Sequence, residues 1–122
     1  MAESTASRRV LRYEKLIRQV ASDYLLHRIN DPEMGWAQVT RVQVKPDLRS
    51  ARIFVHFQES EDAQSDVEAL KAYAPDLQKR IYSQVRSKYC PKIQFVLDKG
   101  FEKVLRVERL IHELSQESAN PQ

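Results

Sequence analysis

Val42-Gln43-Val44-Lys45-Pro46-Asp47-Leu48, continued by Arg49-Ser50 and Ala51-Arg52-Ile53-Phe54-Val55, decides the fold. It reads as two extended segments joined by a short polar connection. In the first, Trp36 to Val44, the alternation puts Thr40, Val42 and Val44 on one face and Arg41 and Gln43 on the other. In the second, Ala51 to Phe57, residues Ala51, Ile53, Val55 and Phe57 point inward, and Arg52, Phe54 and His56 outward. Pro46 brings no backbone donor to the connection, and Asp47 can bond its own downstream backbone there. Strands joined this closely pair antiparallel. Arg41 and Arg52 are therefore expected to leave the core on the same sheet face.

Upstream, Arg8 to Ile29 carries Tyr13, Leu16, Ile17, Val20, Ala21, Tyr24, Leu25 and Ile29 at helical spacing. Arg8, Arg12, Lys15 and Gln19 form a stripe on the other side. Asn30-Asp31-Pro32 ends this helix, because the residue before a proline is pushed out of the helical region. Downstream, Glu59 to Gln64 is a polar loop. Ser65-Asp66-Val67-Glu68 reads as a capping box opening a short helix. Pro75 breaks that pattern and either kinks the helix or starts a new one. The following helix turns Leu77, Ile81 and Val85 inward, with Tyr82 beside them. Ile93 to Leu97 is a third strand, and Asp98-Lys99-Gly100 a turn. Val104, Val107, Leu110, Ile111 and Leu114 mark a last amphipathic helix, expected to dock on the body, before a polar tail from Ser115.

The order α-β-β-α-α-β-α implies an α+β fold with a small mixed sheet and helices on one face. It matches the type II K-homology (KH) arrangement plus a C-terminal helix. One domain is expected over residues 8–115, with 1–7 and 116–122 as flexible tails. At 122 residues, 42% hydrophobic and 30% charged, the chain can bury one core and reads as globular. No apolar run approaches the ~20 residues of a membrane span. Met1 to Ser7 lacks the apolar core of a secretory signal. Cys90 has no internal disulfide partner, which fits a reducing, cytoplasmic setting.

The net charge is only +3, but it is segregated. Leu77 to Leu97 holds five bases and no acid, and Arg8 to Arg18 five bases and one acid, Glu14. Trp36 to Gln58 adds Arg41, Lys45, Arg49 and Arg52 against Asp47 alone. Glu59, Glu61, Asp62, Asp66 and Glu68 form an acidic run without a base. Such a chain has a basic side, and its pI near 9.1 suits a polyanionic partner. The same pattern also fits solvated helix faces rich in lysine and arginine.

Enzymatic chemistry has little support. His27, His56 and His112 sit in separate elements without metal-like spacing to Cys90. Lys88 and Lys92 flank Cys90 and offer a route to an activated thiol, although an incidental role fits it better. Only two glycines occur, and no phosphate loop, nucleophile elbow or carboxylate pair is present. Cofactors, metals and small-molecule substrates are not expected. Trp36 and Phe54 are candidates for stacking on bases. Tyr73, Tyr82 and Tyr89 are expected to be partly buried, with their hydroxyls in solvent.

Along about residues 8 to 114 the chain resembles the bacterial ribosome-binding factor A family. The resemblance rests on Asp31-Pro32 after a long helix and on Asp47-Leu48-Arg49-Ser50-Ala51 in the hairpin, with Lys45 where the family has serine. Arg52-Ile53-Phe54-Val55, then Pro91-Lys92-Ile93-Gln94-Phe95 with Asp98, complete it. The family's Ala-x-Gly kink is replaced by Ala72-Tyr73-Ala74-Pro75. The resemblance implies a non-catalytic assembly factor that binds free 30S subunits and supports their late maturation and 16S rRNA processing.

Without a Gly-x-x-Gly clamp, recognition of rRNA backbone and shape is the expected mechanism. The expected contacts are Arg8, Arg9, Arg12, Lys15 and Arg18 on the first helix, and Lys79, Arg80, Arg86 and Lys88 after the kink. Arg41, Lys45 and Arg52 form a second group. A monomer is expected. The alternatives are a basic protein-interaction module and a general RNA chaperone.

Overall fold

A computed structural model describes residues 7–29, 34, 36–85 and 89–119. The elements run α1 (Arg8–His27), β1 (Trp36–Val44), β2 (Ser50–Gln58), α2 (Ala63–Leu70), a 3-10 turn (Lys71–Tyr73), α3 (Ala74–Gln84), β3 (Lys92–Leu97) and α4 (Lys99–Ala119). Asp31 and Pro32 lie outside the described residues; α1 ends before them, at His27 with Arg28 as its C-cap, rather than running to Ile29.

The sheet has three strands in the order β1-β2-β3, with β1 antiparallel and β3 parallel to β2. The hairpin closes through Lys45 N–H to the Ser50 carbonyl at 3.0 Å and Leu48 N–H to the Lys45 carbonyl at 2.8 Å. The Arg49 N–H donates to Asp47 Oδ1 at 3.0 Å, the downstream bond read from the sequence. Leu48 adopts a left-handed φ of 62°, unusual for a branched residue. Its side chain, only 8% exposed, plugs the end of the core and offsets that strain.

β1 does not alternate evenly. The register shifts between Val39 and Arg41, a bulge that makes Thr40 the extra residue. Val39, rather than Thr40, joins the inner face with Val42 and Val44. The Thr40 hydroxyl instead bonds Asp98 and the Phe54 carbonyl.

α1, α2 and α3 cover one face of the sheet. Ile17, Ile53, Val55, Leu70, Leu77 and Ile81 are fully enclosed between them, each stabilising the fold by about 1.5–3 kcal/mol. Asp62 caps α2, its side chain accepting from Ser65 N–H at 3.1 Å. The capping box expected at Ser65 is thus displaced: Asp62 offers its carboxylate one turn earlier. Pro75 sits in the first turn of α3, where its missing N–H has no helical partner to lose. The break is therefore a 3-10 turn followed by a new helix. Gln78 on α3 clamps the entry to β3: its Nε2 donates to the Pro91 carbonyl at 3.0 Å, and its Oε1 accepts from Ile93 N–H at 2.8 Å. Gln78→Ala leaves both backbone groups without these bonds and is expected to lower unfolding free energy by about 1–3 kcal/mol in urea titrations.

α4 departs from expectation. Asp98-Lys99-Gly100 is its start rather than a free turn, because Asp98 Oδ1 accepts from Phe101 N–H at 3.0 Å and caps it. The helix runs on through Ala119, past Ser115. It leaves the body on the outer side of the sheet, where Phe101 meets His56 with ring centroids 5.0 Å apart. Its apolar stripe is not docked: Val104, Val107, Leu110, Ile111 and Leu114 are 53–62% exposed. The three other helices already fill the core side of the sheet.

Candidate nucleic-acid interface

α1 begins at Ser7, whose hydroxyl oxygen accepts from Val10 N–H at 3.1 Å. Val10, Tyr13, Ile17, Ala21 and Tyr24 bury one side of it. At 100° per residue, Arg8, Arg12 and Lys15 project from the opposite side, with Arg9 and Arg18 on its flanks. All five are exposed. The first turn carries arginines and no acid, although the helix N-terminus is the positive end of its dipole. Each such cation costs the helix about 0.3–1 kcal/mol and, with the free N–H groups, focuses positive potential where a phosphate can sit. The single acid of this segment, Glu14, is turned inward: its Oε2 accepts from Val44 N–H at 2.9 Å. That bond fixes the hairpin end against α1 and removes a negative charge from the outward stripe.

The same bond sets Lys45, exposed, beside the second turn of α1. Lys45 and Arg52 share a small cleft at the hairpin end with Gln43 and Ser50. Arg41 and Arg52 both leave the core on the outer sheet face, as the alternation predicts. Arg41 is already engaged, however. Its guanidinium lies 3.9 Å from the Phe54 ring centroid and its Nε 3.8 Å from Asp98 Oδ2. Phe54 is covered by this contact and only 8% exposed, so it offers no face to a base. Trp36 is 70% exposed and remains open for stacking. Tyr82 and Tyr89 are more exposed than expected, at 63% and 61%, while Tyr73 is half-buried.

Lys79 is exposed on α3. Arg80 points back toward α1, its Nε 3.6 Å from Asp76 Oδ2 and its guanidinium 5.5 Å from the Tyr24 ring centroid. Arg86 and Lys88 lie outside the described residues. The structure thus gathers the α1 bases and Lys45 on adjoining ground, places Lys79 and Arg80 on the neighbouring helix, and sets Arg41 apart. Arg28, exposed at the C-terminal end of α1 near Arg80, belongs with this set. It escapes the sequence reading because it follows the charge-dense part of the helix.

Two titratable groups show how tightly α1 and α3 are joined. The Tyr24 hydroxyl donates to Asp76 Oδ2 at 2.9 Å. Burial, that bond and the Asp76 charge push the Tyr24 pKa up to about 12. The same bond, with Arg80 nearby, holds the Asp76 carboxyl below its ordinary value. Because the folded-state pKa of Tyr24 is raised, its contribution is complete below about pH 10 and lost as pH rises toward about 12. The depressed Asp76 contributes fully above its unfolded pKa and loses that contribution as pH falls through its lower folded-state pKa. Tyr24→Phe is therefore expected to be less stable than the native chain near neutrality. Urea midpoints measured against pH should show that gap closing between about pH 10 and about 12.

Cys90 is half-buried, and burial pushes its thiol pKa up, with the Gln78 amide at 3.5 Å opposing only in part. The thiol is thus deactivated rather than activated by its surroundings. Among the described residues, no group of three His, Cys, Asp or Glu could hold a metal, and no helix is long and apolar enough to cross a membrane.

The antiparallel hairpin, the two-helix crossover and the parallel third strand define a small α+β domain of type II KH-like order, with its bases gathered on an outward helix. The chain belongs to the ribosome-binding factor A family, whose model matches residues 9–111. It is 33% identical to ribosome-binding factor A of Bdellovibrio bacteriovorus over 111 residues, covering 90% of this chain and 83% of that one. The fold is similar to the crystal structure of ribosome-binding factor A from Thermus thermophilus, with a TM-score of 0.62 and 17% identity over 72% of this chain and 93% of that one. It is also similar to a homology model of the Thermus thermophilus factor fitted into a cryo-EM map of its 30S complex (TM-score 0.59, 16% identity, 70% and 91% coverage). The family's members are ribosome-binding factors rather than enzymes.

Proposed function

We propose that this protein is a cytoplasmic assembly factor that binds free 30S subunits and assists their late maturation and 16S rRNA processing without catalysis. The observation that carries the reading is α1. Arg8, Arg12 and Lys15 stand opposite the buried side, Arg9 and Arg18 flank them, and Glu14, the one acid among them, is turned onto β1. Folded rRNA presents phosphates at regular spacing, and a rigid basic helix meets them without ordering long side-chain arrays from scratch. Lys45, Lys79 and Arg80 extend this surface to either side, with Arg86, Lys88 and Arg52 as further contacts and Arg41 held back by Asp98 and Phe54. The 30S complex of the Thermus thermophilus relative supports the choice of partner.

The domain is proposed to span residues 8–115 and to act as a monomer. Ribonuclease treatment of a lysate containing the tagged protein tests the class of partner. Release from high-mass material on digestion is expected. Retention on a ribonuclease-resistant complex would favour a protein partner instead, a reading to which the exposed stripe of α4 lends support.

A further inference from the structure

We propose that the groove between α1 and α3 receives a single unpaired nucleotide of the bound RNA. The inference rests on the RNA-binding reading above and adds a site with a stated ligand. The groove encloses about 370 Å³, the low end of the range for small-molecule sites, so it suits one nucleotide and excludes a duplex. Leu16 and Val20, both half-buried, give it an apolar strip on α1, and the Tyr24 ring lies buried beneath, between the helices. The Tyr24 hydroxyl is committed to Asp76, so the ring is held in place and cannot swing away.

The polar groups around that floor are of mixed sign. Arg28 and Arg80 line the groove together with Asp23 and the amides of Gln19 and Gln84. Asp23, 3.3 Å from the His27 ring nitrogen, adds a carboxylate that makes the groove a poor trap for a free anion. It suits a nucleotide well, because a nucleotide has a phosphate at one end and base-edge donors and acceptors at the other. Each glutamine amide supplies both a donor and an acceptor for such an edge. Arg80 is pre-positioned over Tyr24, and its buried Nε is held only by a long ion-pair contact of 3.6 Å to Asp76 Oδ2. Tyr24 backs the Arg80 guanidinium, and unstacked RNA bases are commonly taken up on such a guanidinium plane with their edges hydrogen-bonded.

The test uses RNA hairpins that differ only in one unpaired nucleotide, bound to the full chain and to Ser83→Trp. Ser83 lines the groove on α3 and is exposed, so tryptophan there fills the groove without touching the core or the stripe from Arg8 to Arg18. The native chain is expected to prefer a bulged hairpin over its fully paired counterpart by about tenfold. An abasic bulge, a change made on the RNA alone, should lose that preference. Ser83→Trp should lose it too, while the paired hairpin is still bound. Equal, salt-dependent binding of bulged and paired hairpins by the native chain would overturn the groove assignment and leave the phosphate-recognition reading intact. A native chain that bound neither hairpins nor 30S subunits would overturn both. Adenosine monophosphate binding more tightly than the bulged hairpin would make the ligand a free nucleotide and equally overturn the proposal.

Discussion

Glutamate at Arg12, Lys15 and Arg18 together is expected to weaken binding to 30S subunits about tenfold to a hundredfold at moderate salt. These side chains are exposed, so each contact is individually modest, about 0.2–1 kcal/mol, and charge reversal adds repulsion to the loss. The more diagnostic readout is the salt dependence. Each phosphate contact removed lowers the logarithmic salt slope by about 1, so the triple variant should lose about 3. Filter binding at a series of salt concentrations gives both numbers. Because the three residues face away from the core, the urea midpoint of the variant should stay near that of the native chain. An unchanged slope would remove α1 from the interface. Arg41→Ala serves as the contrast: its guanidinium is held by Phe54 and Asp98, so its loss should change stability more than the slope.

The second large effect concerns the core. Leu77 is fully buried on α3, in the turn after Pro75, where α3 meets the sheet. Leu77→Ala is expected to cost about 2–5 kcal/mol through lost burial and the cavity left behind. Small domains have about 5–15 kcal/mol in total, so this one change removes a large share. Leu110→Ala with Leu114→Ala gives the opposite result. Both side chains are more than half exposed on α4, and their joint replacement should move the urea midpoint little. A loss of several kcal/mol from the α4 pair would mean that α4 packs on the body after all.

Residues that act on their own neighbours in the chain are legible in the sequence, and those that act across the fold are not. The hairpin was legible because Pro46 and Asp47 restrict the connection and the alternation of β2 is unbroken. α1 was legible because its apolar spacing repeats over five turns, and the same spacing revealed the basic stripe. The bulge at Thr40 was not, because its cause lies far along the chain, in the bond from Thr40 to Asp98. The inward turn of Glu14 was hidden for the same reason, since its partner is a backbone N–H of β1. The amphipathic pattern of α4 shows a helix but not what covers it; periodicity carries no information about whether a facing surface exists. Arg80 illustrates the limit for the site. Its charge is plain in the sequence, but its place in a groove depends on the packing of α3 against α1.

A basic, non-catalytic domain is proposed to bind the free small subunit. Sedimentation of the tagged protein through sucrose gradients of its host's lysate, at about 50 mM and about 200 mM salt, tests it most directly. Co-migration with free 30S subunits, absence from whole ribosomes and release at the higher salt are predicted. Protein that stays at the top of the gradient at both salt concentrations would contradict the account.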